Sequence, residues 1–216
     1  MHRRRRTALI LSAALLCAAP LIAACGSDAH PGAAAIVGGE RIEVATVQAQ
    51  VKDSRTAQAK SAQAAQLIKD SGQLGRAKLY YLIVDKVVQR AADDAGVKVS
   101  RKEIQDSRAA LEKQVGGEEK VAAMYLQQRG AAPGEVDGVV RRDLLVNKIA
   151  MALGAGNNPE GQQKLNQAYT AAAKALHIEV NPRYGAWNDQ KLELGDYKAP
   201  WITQVTKQPQ SGEAGA

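Results

Sequence analysis

The sequence predicts a mainly α fold, a helical module closed by one pair of short strands drawn from its two ends. Three observations predict it. Apolar residues recur at three- and four-residue spacing through most of the chain, as one buried face of a helix requires. Capping residues and glycines punctuate these runs at the places where helices begin and end. Strand-like pieces are confined to Ala34–Val37 near one end and His177–Val180 near the other.

In chain order, Ala34-Ala35-Ile36-Val37 reads as a strand turned by Gly38-Gly39, and Val44, Val47 and Val51 open a helix. That helix continues weakly from Thr56 to Ile68 and breaks at Ser71-Gly72. Ala77 to Gly96 carries the strongest helical signal, with Tyr80, Val84, Val87, Val88, Ala91 and Ala95 on one stripe and Gly96 placed as a cap. Leu79, Leu82 and Ile83 widen its apolar surface, so this helix is expected to be central. Ser100-Arg101-Lys102-Glu103 is a capping box, and it starts a helix through Ile104, Leu111 and Val115 to Gly116-Gly117. A short helix through Val121, Met124 and Tyr125 ends at Gly130. Pro133 suits the first turn of a helix that runs from Val136 to Leu153. Asn158-Pro159 repeats the start signal for a last helix with Leu165, Tyr169, Ala172 and Leu176 on one face. From Gln208 to Ala216 little can be buried, so that end is expected to be disordered.

The start of the chain has a different character. Four arginines, Arg3 to Arg6, precede an apolar run from Thr7 to Ala24, the order of an export signal. A run of this length could also anchor without cleavage, but the small residues directly before Cys25 argue against that. Leu21-Ile22-Ala23-Ala24-Cys25-Gly26 resembles the lipobox of bacterial lipoproteins. The resemblance implies cleavage between Ala24 and Cys25, lipid such as palmitate on Cys25, and a chain held on the extracytoplasmic face of the cell membrane. The domain plan is then a signal peptide over 1–24, a flexible tether over 25–33, a helical domain over 34–187, and an extension over 188–216.

Cleavage would remove Cys17 and leave no disulfide, so stability must come from a packed core. It would also remove four arginines and no carboxylate, taking the net charge from +7 to +3. So small an excess gives no reason to expect a nucleic-acid partner.

The order of these signals is similar to one known family. Ala35-Ile36-Val37-Gly38-Gly39-Glu40-Arg41-Ile42 resembles the strand-turn-helix start of the SurA and PrsA family of extracytoplasmic chaperones. Leu82 to Val88 with Ala91, Gly96, Val97, Val99, Ser100 and Glu103 resembles its next block. Tyr125-Leu126 with Arg129-Gly130, and then Val136 to Leu153, are similar to its following two helices. Ile178-Glu179-Val180-Asn181-Pro182-Arg183-Tyr184-Gly185-Ala186-Trp187 resembles the segment that closes its chaperone module. One departure is Glu43, where the family usually starts the helix with threonine or serine. A second is the gap between Leu153 and Asn158, only Gly-Ala-Gly-Asn, which leaves no room for the parvulin-type prolyl isomerase domain of many relatives.

No constellation for catalysis stands out. Ile36-Val37-Gly38-Gly39 matches the start of an activated trypsin-like protease, but no Gly-Asp-Ser-Gly-Gly follows and His30 precedes it. The chain lacks phenylalanine, and only His30 and His177 remain after cleavage, so neither a parvulin pocket nor a histidine metal site can be assembled. Asp93-Asp94 and Glu118-Glu119 are adjacent pairs that point apart on a helix and read as solvated faces. Arg141-Arg142 reads as a solvated face or a salt-bridge donor to a neighbouring helix.

The reading is therefore not an enzyme and needs no cofactor. The resemblance implies a membrane-tethered chaperone whose partners are unfolded exported polypeptides, with Met124, Tyr125, Met151, Tyr184 and Trp187 as candidate client-binding residues. An adaptor for one folded envelope partner is the main alternative, and a prolyl isomerase the third.

Overall fold

The computed structural model describes residues 32–69 and 73–197. The signal peptide with Cys17 and Ala24, Cys25, His30, most of the tether, the break at Ser71-Gly72 and the end from Gln208 to Ala216 lie outside the described residues.

The described chain is mainly helical: α1 Val44–Ala59, α2 Ala64–Lys69, α3 Leu74–Asp94, α4 Arg101–Val115, α5 Glu118–Arg129, α6 Val136–Ala152 and α7 Pro159–Ala175. Five short strands accompany them: β1 Ala33–Val37, β2 Glu40–Glu43, β3 Glu179–Val180, β4 Ala186–Asn188 and β5 Glu193–Gly195.

The predicted strand pair is present, with Ala35 opposite Val180 and Ile36 opposite Glu179 in antiparallel register. It is one half of a larger sheet, ordered β2-β1-β3. Gly38 and Gly39 both take positive φ, 60° and 79°, so a two-residue hairpin folds Glu40–Glu43 back along β1. Ile42 turns inward while Arg41 and Glu43 stay outside. Ala33, the last residue assigned to the tether, is the buried first residue of β1. On the other side, His177 has a positive φ of 44°, so β3 begins only at Glu179.

Two helix boundaries and one strand also differ from the sequence reading. The first helix does not continue to Ile68, because the Ser61 hydroxyl accepts the Gln63 amide at 3.2 Å and its carbonyl accepts Ala64. That local bonding competes with the helix ladder and ends α1 before α2 begins. Pro133 opens a single 3-10 turn, Pro133–Glu135, ahead of α6. The segment from residue 188, read as an extension, carries β5, which pairs Trp187 with Leu194.

Helix α3 is central as expected, touching α1, α6, α7, β1 and β5. Its buried face is centred on Leu79 and Ile83, with Val87, Val88, Ala91 and Ala92, whereas Tyr80 and Val84 lie only half-buried. The main core gathers this face with Val37, Ile42, Val47, Leu145, Ile149, Ala172 and Ala173. A second, smaller core holds Val121, Tyr125, Ala131, Val136, Val139 and Val140, against which Ile104, Leu111, Val115 and Met124 pack. Helix α4 has no fully buried residue and leans on this second core.

Helix α4 starts as predicted: Ser100 accepts the Glu103 amide at 3.3 Å and the Glu103 carboxylate accepts the Ser100 amide at 2.9 Å. A bond from Lys148 at 2.5 Å, with those from Ser100, holds the Glu103 carboxyl down to about 2. Asn158 caps α7 by accepting the Gly161 amide at 2.8 Å. Glu43, by contrast, gives α1 no side-chain cap and pairs with Arg41 at 3.1 Å.

Two buried cations stitch the helices together. Arg142 reaches Asp85 of α3 at 2.5 Å and lies over the Tyr81 ring at 4.9 Å, so it is a donor to a neighbouring helix and not a solvated residue. Burial pushes the Asp85 carboxyl up, against the pull of Arg142. Lys78, 3% exposed, bonds Glu135, whose Oε2 also accepts the Ala132 amide at 2.6 Å. Ser54 of α1 joins them, donating to the Gly130 carbonyl at 2.8 Å and lying 3.4 Å from Glu135. This polar knot joins α1, α3 and the corner before α6.

Candidate polypeptide-binding groove

Helix α1 shows why a groove forms beside it. Val47, Ser54 and Gln58 are buried, so this face packs inward. The neighbouring face, with Gln48, Lys52, Arg55, Thr56 and Ala59 three or four residues apart, points away from the core. On the far side Gly75 opens α3, and a Cβ added there would lie 4.0 Å from Val51 Cγ2, so the two helices approach closely at the bottom.

The opposite wall is the turn after β3. Asn181 sets it: its amide donates to the Ala34 carbonyl at 2.9 Å and its side-chain Nδ2 to the Ala33 carbonyl at 3.2 Å. Its own oxygens then accept, Oδ1 from the Arg183 amide at 3.0 Å and the carbonyl from the Tyr184 amide at 2.8 Å. An asparagine folding the backbone onto itself in this way makes a tight turn. Gly185 completes it at φ 125°, where an added Cβ would strike the Gly195 carbonyl. Arg183 and Tyr184 are thereby held beside α1.

The result is an open groove of about 610 Å³ with the half-buried Val51 and Tyr184 as its apolar surface, the buried Val47 beneath them, and Lys52, Arg55 and Arg183 around it. A second groove of about 680 Å³ runs along the outer face of α7, lined by Gln162, Gln163, Asn166, Gln167 and Gln190. It offers amides and no large apolar side chain, so the α1 groove is the better surface for an unfolded segment.

The five residues named from sequence fall in different places. Tyr184 lines the α1 groove. Trp187 packs half-buried on the main core, donates to Asp189 at 2.9 Å and lies 6.2 Å from the Tyr80 ring. Tyr125 is 7% exposed in the second core with Arg129 over its ring, and Met124 packs partly buried beside it. Met151 is 73% exposed near the end of α6 and lines neither groove. Sequence reading missed Val51, Lys52, Arg55, Arg183 and the turn residue Asn181. The run Asn181-Pro182-Arg183-Tyr184-Gly185 carried a turn signal that could have located one wall.

Among the described residues no group of three His, Cys, Asp or Glu side chains could hold a metal ion. Among them also, no helix is long and apolar enough to cross a membrane. Comparison with curated proteins and with solved structures finds no match. A family model does match: that of the SurA-like N-terminal domain, over residues 1–150, which reaches from the start of the chain into α6. A match over that much of the chain, with the predicted helical module behind it, places this protein in the SurA-like N-terminal domain family, a family of chaperone type.

Proposed function

We propose that this protein is a membrane-tethered extracytoplasmic chaperone that holds exported, partly unfolded polypeptides in the α1 groove without catalysis. The observation that carries the reading is a family match of chaperone type together with an open groove that presents Val51 and Tyr184. Holding needs only that: enough apolar contact to keep an unfolded segment from aggregating, and an open trough from which it can leave. Mature protein added in stoichiometric amounts should slow aggregation of a reduced, unfolded test protein, followed by light scattering. No suppression at any ratio would overturn the proposal.

The tether belongs to the same reading. Two acyl chains on Cys25 supply about 0.8 kcal/mol per buried methylene, far more hold than a net charge of +3 could give. Cys25→Ser is expected to leave the fold intact and to block processing by the lipoprotein route, so that an uncleaved or mis-cleaved precursor accumulates on an immunoblot. Normal processing at Ala24 with retention in the membrane fraction would exclude lipid on Cys25 as the anchor.

A further inference from the structure

We infer that the α1 groove selects extended client segments in which an acidic residue accompanies the apolar ones; this rests on the proposed holding function and names its substrate class. The groove is electrostatically one-sided. Lys52 and Arg55 stand on the α1 wall and Arg183 on the facing turn, and no Asp or Glu lines the space between them. All three are exposed, and none takes part in an ion pair among the described residues. Several other surface cations are paired, as Arg90 is with Asp94, Lys102 with Asp106 and Arg108 with Glu112, while others such as Lys98, Lys113 and Lys120 are exposed without an ion pair among the described residues; what sets Lys52, Arg55 and Arg183 apart is that all three line one groove. Here the carboxylates are left for the ligand to bring.

Shape sets the length of that ligand. From Gln48 to Ala59 the α1 wall rises about 16 Å at 1.5 Å per residue, which matches roughly five residues of extended chain at about 3.3 Å each. An extended segment turns alternate side chains to opposite sides. One set can meet Val51 and Tyr184 while the residues between them reach the cations on either wall. Because those cations are solvent-exposed, the attraction is short-ranged and screened by salt.

The test uses the mature protein and three labelled, unstructured peptides of one apolar pattern, with Glu, Gln or Lys at the intervening positions. Fluorescence anisotropy at low salt, about 0.02 M, should rank them Glu, Gln, Lys, with Glu roughly three- to ten-fold tighter than Gln, and the gap should close near 0.5 M. The Arg55→Gln/Arg183→Gln variant, with an unaltered circular dichroism spectrum, should bring the Glu peptide to the affinity of the Gln peptide. Lys102→Gln on α4 should keep the parent ranking. Equal affinities while aggregation is still suppressed would overturn the acidic preference and leave the holding function standing; no binding of any peptide would overturn both. Anionic phosphatidylglycerol vesicles held by the same two arginines, with peptides unranked, would assign the cations to lipid and overturn the inference.

Discussion

Truncation of the mature chain after Leu176 is expected to abolish cooperative folding, while truncation after Lys207 leaves the thermal midpoint near that of the parent. The longer deletion removes β3, β4 and β5, and with them Ile178, Val180, Tyr184, Trp187, Leu192 and Leu194, all packed partly buried against the main core. A fully buried large apolar side chain contributes about 1.5–3 kcal/mol. At about 1 kcal/mol each for partial burial, these six approach the total stability of an ordinary domain, roughly 5–15 kcal/mol. Deletion also strips the partner from one edge of β1 and removes the two Asn181 bonds to Ala33 and Ala34. Circular dichroism melting of the two truncations decides the matter, and equal midpoints would contradict closure of the module by its own ends.

Glu135→Ala should be the most damaging single substitution outside the apolar core. It leaves the Lys78 ammonium, 3% exposed, without its carboxylate and the Ala132 amide without its acceptor, while the Ser54 hydroxyl keeps only its bond to the Gly130 carbonyl. Removing one partner of a buried pair costs about 3–5 kcal/mol, because the remaining charge is uncompensated. For a chain of this size that is a fall in midpoint on the order of 10 °C. Lys78→Met/Glu135→Gln should recover a good part of the loss, since the charge is gone and the amide oxygen can still accept. An unfolding free energy for Glu135→Ala, taken from urea denaturation, within about 1 kcal/mol of the parent would show that the knot is dispensable.

The parts of the fold that depend on local bonding were readable in the sequence. The Ser100 and Asn158 caps and the glycine stops at Gly116 and Gly130 stand where the chain places them, because each is settled within a few residues. The pairing of β1 with β3 across the two ends was also readable, but most of what depends on distant side-chain partners was not. The inward face of α1 continues from Val47 into Ser54 and Gln58, which breaks the apolar stripe. Ser54 is buried there because Gly130 and Glu135, far along the chain, meet it. Likewise the sequence leaves Arg142 either solvated or a salt-bridge donor to a neighbouring helix, and only the fold, which brings Asp85 and Tyr81 of α3 against it, decides for the second.

The groove was hidden for the same reason. Its walls come from α1 and from the turn at Arg183 and Tyr184, so no local pattern contains it, and of the five residues picked by type only Tyr184 lines it. Tyr125 was attractive as an aromatic on a short helix, but that helix needs it to fill the second core. Met151 is exposed and apolar yet stands apart from either trough.

The most direct test of the account is photo-crosslinking from defined positions on the mature protein to one test protein in two states. A photoreactive amino acid is placed at Gln48 or Thr56, both on the exposed side of the groove, and at Lys102 on α4 as a control. The account predicts crosslinks from positions 48 and 56 to the reduced, unfolded protein, few or none to the same protein when folded, and few from position 102 to either. Equal crosslinking from all three positions, or capture of the folded form as readily as the unfolded one, would contradict it.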